Sequence, residues 1–78
     1  MNSLYFFKNP DLWPNWPFCP VKSGEEIGII FDTKPTVICI NMWKEYTQEE
    51  YDAALRYKYN SFEELVADGW VADGWVVD

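Results

Sequence analysis

The chain contains no histidine, only six basic residues against thirteen acidic ones, four glycines and two cysteines. Without histidine it lacks the side chain most often used as general base near neutral pH and as metal ligand. The remaining nucleophile candidates, Cys19 between Phe18 and Pro20 and Cys39 in an apolar run, have no cation nearby in sequence to lower a thiol pKa. Paired acids such as Glu25 and Glu26 sit in a turn-like stretch, without the buried, unequal environments that acid-base pairs require. The sequence therefore reads as a non-enzyme with no cofactor. No apolar run approaches the roughly 18 residues of a membrane-spanning helix. The first residues, MNSLYFFKNPDLW, lack a basic stretch followed by a long apolar one. Together these features favour a soluble, cytoplasmic protein with two buried free thiols over a secreted, cross-linked one.

What is present is aromatic and acidic. Five Trp, five Tyr and five Phe make up 19% of the 78 residues, and apolar residues reach 49%, well outside the composition of disordered chains. A chain this short supports one domain, since it buries only about 60% of its unfolded surface. The net charge is −7. Residues 1 to 44 balance Asp11, Glu25, Glu26 and Asp32 against Lys8, Lys22, Lys34 and Lys44, so the whole excess lies in residues 45 to 78. Such a surface repels polyanions, which argues against direct nucleic-acid binding.

SLYFFK, a short aromatic run before Asn9-Pro10, predicts a strand near residues 3 to 8. Pro10, Pro14, Pro17 and Pro20 then predict a stiff extended loop over 9 to 20, with no helix in it. EEIGIIFD and TVICINMW predict strands near 26 to 32 and 36 to 43, joined by a hairpin-length DTKPT. Thr47 and Glu50 form a capping-box pattern, flanked by Tyr46 and Tyr51 as a hydrophobic staple. The stripe Tyr51, Ala54, Leu55, Tyr59 extends the predicted helix over 48 to 59. Ser61 and Glu64 open a second helix in SFEELVAD, and Gly69 stands where a left-handed residue would end it, with Trp70 folding back on Leu65. The expected fold is α+β: a small antiparallel sheet of three to four strands, two short helices packed on one face, and a Pro/Trp-rich loop.

The pentapeptide VADGW at 66 to 70 recurs at 71 to 75. The first copy ends a helix. The second has no such role and reads as a replication slip near a terminus, or as a strand extension presenting Trp75 to a partner or to another copy of the chain. Asp68, Asp73 and Asp78 recur every five residues, but neither spacing nor a closing glutamate matches a calcium loop.

The stretch LWPNWPFCP sets Trp13, Trp16 and Phe18 among prolines, either as a rigid recognition surface or as cover for a thin core. Glu49, Glu50, Asp52 and Glu63 lie on the acidic helices, where a row of carboxylates either imitates phosphates or simply faces water. The expected function is a small acidic protein-interaction module whose contacts include Trp13, Trp16, Phe18, Glu49, Glu50, Asp52, Glu63 and Trp75. In its sharper form it is a stoichiometric inhibitor occupying a basic nucleic-acid-binding groove of a host protein, a profile shared by many viral and mobile-element accessory proteins. The alternative is a structural subunit that self-assembles through the VADGW repeat, and a third is an accessory subunit of an enzyme.

Overall fold

The computed structural model describes residues 3 to 73. In chain order these form α1 (Ser3–Lys8), a 3-10 turn (Pro10–Leu12), β1 (Phe18–Ser23), β2 (Glu26–Phe31), β3 (Thr36–Ile38), α2 (Gln48–Ala53), β4 (Arg56–Lys58), α3 (Phe62–Ala67) and β5 (Val71–Ala72). The strands build one antiparallel sheet in the order β4-β3-β2-β1-β5. The class is α+β as expected, with five strands rather than three to four. Among the described residues no helix is long and apolar enough to cross a membrane.

Directly opposed residues share a face of the sheet, and successive ones alternate. Cys19, Val21, Ile30, Val37 and Ala72 thus point to one side, where α1 and α3 bring Phe6, Phe7 and Leu65, and where Trp13 and Trp70 complete the buried cluster. Gly28 lies on this side too, and the absence of a side chain there lets Val37 pack close: an added Cβ would stand 2.6 Å from Val37 Cγ1 and 2.8 Å from the Ile38 carbonyl oxygen. Phe18, Ile27, Ile29, Phe31, Ile38 and Val71 point to the second side. That side is partly covered by α2 and the segment before it, since Tyr51 meets Phe18 and Ile29 across a shared groove. Two helices do pack on one face, but they are α1 and α3; α2 lies over the other.

Residues 3 to 8 form a helix, where a strand was expected. Phe6 and Phe7 are adjacent and both buried, which a strand covered on one side cannot achieve, whereas neighbours on a helix are only about 100° apart. The helix end is sealed by Asn9, whose backbone N–H donates to Phe6 O and whose Nδ2 donates to Tyr5 O at 2.7 Å, and by Trp13 Nε1, which donates to Phe6 O at 2.8 Å. The loop expected over 9 to 20 contains the 3-10 turn, with Pro10 at a first position that needs no N–H. It also ends early, because β1 begins at Phe18.

β1 and β2 are joined by the two-residue loop Gly24-Glu25, with Gly24 at φ +62°, a conformation that costs a glycine nothing. Pro20 lies within β1 at small cost. Its carbonyl accepts from the Asp73 N–H at 3.0 Å, so its nitrogen faces β5 as well and cannot return the bond. The β1–β5 ladder therefore stops after Val21↔Ala72 and Lys22↔Val71.

β3 is shorter than predicted, because the Ile40 N–H folds back to Ile38 O at 2.9 Å. The helix expected over 48 to 59 stops at Ala53. Arg56 is the reason: its guanidinium donates to the carbonyls of Tyr51, Asp52 and Ala54, satisfying the groups a continuing helix would have used, and it lies 5.1 Å over the Tyr51 ring. The chain is then free to extend as β4 beside β3. The capping box is present in both directions, Glu50 N–H to Thr47 Oγ1 at 3.1 Å and Thr47 N–H to Glu50 Oε1 at 2.9 Å. In α3, Ser61 accepts from Glu64 N–H, but the Glu64 carboxylate reaches Asn60 rather than Ser61. Gly69, at φ +103°, donates to Val66 O while Trp70 donates to Leu65 O, the paired bonds of a Schellman end, and Trp70 and Leu65 join the same cluster.

Candidate interaction surface

Trp13 and Trp16 are three residues apart and have opposite fates. Trp13 is 4% exposed and fixed through its indole N–H, whereas Trp16 is 51% exposed with its ring centroid 5.5 Å away at an interplanar angle of 45°. Together with Pro10 and Asp11 they wall a groove of about 260 Å³. Phe18 is half-buried and packs on Phe31 at 5.3 Å across the β1–β2 pair.

On α2, Glu49, Glu50 and Asp52 are all exposed. Two of them also serve the helix, Glu50 through the capping box and Asp52 by accepting from Gln48 Nε2 at 2.9 Å. Glu63 is not beside them. It forms an ion pair with Lys8 that links α3 to α1, and that bond holds its carboxyl below its ordinary pKa. Trp75 lies outside the described residues, as does Asp78. The two described aspartates of the five-residue series go to separate partners, Asp68 accepting from the Tyr59 hydroxyl at 2.5 Å and Asp73 facing Lys22 at 3.7 Å.

Both cysteines are free. Burial pushes the Cys19 thiol up to about 12, and burial followed by the negative charge of Glu26 raises Cys39. Neither is poised as a thiolate near neutral pH. Tyr57 donates to Glu26 Oε2 at 3.0 Å, which raises its pKa, and Trp70 Nε1 donates to the Tyr59 hydroxyl at 3.0 Å.

The second sheet face carries residues the sequence reading did not single out. Ile27 at 42% exposure and Phe31 at 39% stand open on β2, and Trp43, at 62%, is the most exposed large apolar side chain among the described residues. The same face holds a second groove of about 210 Å³, lined by Phe18, Ile29, Ile40, Asn41, Met42, Lys44 and Tyr51, with Trp43 next in the chain to two of these. The alternation of Ile27, Ile29 and Phe31 was visible in the sequence; which of the three would be covered was not, because the cover comes from residues 40 to 55. At the β5 edge, the Ala72 N–H donates to Ser3 Oγ at 3.2 Å, so this outward donor is already engaged by α1.

Comparison with protein-family models, curated proteins and solved structures finds no match to this chain.

Proposed function

We propose that the protein is a non-catalytic interaction module that docks on a basic protein partner through its second sheet face, with Phe31, Ile27 and Trp43 as apolar anchors and Glu49, Glu50 and Asp52 of α2 as the charged border. In the sharper form of this reading, the partner's basic surface is a nucleic-acid-binding groove and the module blocks it stoichiometrically. The observation that supports the reading is the open apolar rim beside a carboxylate-bearing helix, in a protein of net charge −7. Exposed aromatics supply contact area, and the carboxylates steer association with a positive surface. Trp16 offers a further exposed ring, while Trp13 and Glu63 serve the fold. The free thiols suit a reducing compartment such as the cytoplasm.

The test is comparative. Wild-type protein is used to isolate its partner from the native host, and calorimetry then measures that partner against wild type, Ile27→Glu/Phe31→Glu and Glu49→Lys/Asp52→Lys at low and high salt. Glu50 is spared because its reversal would also break the helix cap. Binding should weaken with both double variants and fall steeply with salt. Salt-insensitive binding that survives the charge reversal refutes the reading.

A further inference from the structure

We propose that the groove walled by Trp13 and Trp16 and bordered by Asp11 is a binding site for an organic cation, the guanidinium of an arginine side chain presented by a partner. This site stands on its own geometry and does not depend on the second sheet face.

The face it offers a cation is that of Trp16, which is 51% exposed, while Trp13, at 4%, backs the groove from within; indole faces are electronegative and attract cations held close to them. The two rings pack on each other, tilted at 45° with centroids 5.5 Å apart, so a ligand lies on Trp16 beside Asp11 rather than between the indoles. Asp11 adds a carboxylate, and no lysine or arginine lines the groove. A guanidinium suits this combination better than an ammonium, because its plane lies against an indole while its fork of N–H groups reaches a carboxylate. At about 260 Å³ the groove falls below the roughly 300–1,000 Å³ typical of sites for whole drug-sized ligands, which fits the head of one side chain.

The site is also built to hold its shape. Trp13 is pinned by its bond to Phe6 O, and the 3-10 turn carrying Asp11 is closed by Leu12 N–H to Asn9 O and Trp13 N–H to Pro10 O, both at 2.9 Å. Pro14 and Pro17 restrict the backbone on both sides of Trp16, and the Phe18 N–H is tied to Asn15 O at 2.8 Å. Little ordering remains when a ligand arrives, and an already ordered site wastes less of its binding free energy. The net charge of −7 raises the local concentration of cations around the whole molecule.

The experiment needs no partner. N-acetyl-arginine amide is titrated into the full chain while the indole N–H resonances are followed by NMR, with N-acetyl-citrulline amide as a neutral probe of nearly the same shape. The arginine probe should shift the Trp16 signal with a dissociation constant of about 10–100 mM, as expected for one small cation on an aromatic face beside a carboxylate. Citrulline should bind at least about three-fold more weakly; Asp11→Asn should cost about three-fold and Trp16→Ala about ten-fold. Leu55→Ala, at an exposed position outside the groove lining, should leave the affinity unchanged. Equal binding of citrulline, unaltered affinity in Trp16→Ala, or no shift with arginine well above this range each overturns the proposal. Because the probe is a single amino-acid derivative, failure here leaves the charge-reversal test on α2 untouched, and the reverse also holds.

Discussion

Replacing Gly28 by alanine tests the tightest point of the sheet. The new Cβ would stand 2.6 Å from Val37 Cγ1 and 2.8 Å from the Ile38 carbonyl oxygen, both inside van der Waals contact, and one of the two is backbone that cannot rotate away. Overpacking of this kind costs about 1–3 kcal/mol. Gly28 has no positive φ, so alanine gains back about 0.4–1 kcal/mol by restricting the unfolded chain. The net loss is then about 1–2 kcal/mol, against a total stability of roughly 4–12 kcal/mol for a chain of this length. With a urea m-value near 1 kcal/mol/M, the unfolding midpoint should fall by about 1–2 M. Tryptophan fluorescence reports the transition, because Trp13 and Trp70 are buried. Trimming the neighbour with Val37→Ala removes the first clash but not the second. The double variant should therefore be more stable than the two single losses predict, by about 1 kcal/mol, yet less stable than Val37→Ala alone. A loss below about 0.5 kcal/mol in Gly28→Ala, or strict additivity in the double variant, would show that β2 and β3 do not approach as described.

Two further outcomes follow from side chains in and around the core. Burial, then the bond donated to Asp68, raises the Tyr59 hydroxyl to about 12, above the ordinary 10.0, so its contribution to stability is complete below pH 10 and is lost as the pH climbs towards 12. Urea midpoints measured across that window should fall, and Tyr59→Phe should flatten the part of the decline due to this residue; an undiminished decline contradicts the assignment. A thiol reagent at neutral pH should modify half-buried Cys39 before Cys19, which reacts only as fast as the molecule opens globally. Equal rates, read by mass spectrometry of the labelled peptides, would place Cys19 outside the core.

The parts of the fold legible in the sequence are those governed by neighbours in the chain. The Thr47–Glu50 box, the Ser61 cap and the glycine that ends α3 each involve residues a few positions apart, and the β2–β3 hairpin needs only a short link between two apolar runs. The misread parts depend on distant partners. Nothing local distinguishes SLYFFK as helix; its pair of buried phenylalanines makes sense only once α3 and Trp13 are packed against it. β1 was obscured by Pro17 and Pro20, although Gly24 in a two-residue loop carried the hairpin signal. The stripe that prolonged α2 to residue 59 was a true periodicity overridden by Arg56, which spends its donors on the helix carbonyls. The interaction surface obeys the same division. Glu63 meets a lysine 55 positions away, and Trp13 and Trp16 share a composition but not an environment.

Val66–Ala67 closes α3 while the same two letters at Val71–Ala72 lie flat in β5, so one dipeptide wears two backbones five positions apart. Backbone partners differ between the two: the first copy lies within the helical bonds that Gly69 and Trp70 close, and the second pairs with Val21 and Lys22 of β1. A chain lacking one VADGW unit would read Trp-Val-Val-Asp from position 70, and would differ from the present β5 and its lysine-facing aspartate only by a valine for Ala72. Ala72 is buried in the core cluster, however, so the two extra methyl carbons of that valine would need room beside Val21, and that repacking is what the sheet would ask of the shorter chain.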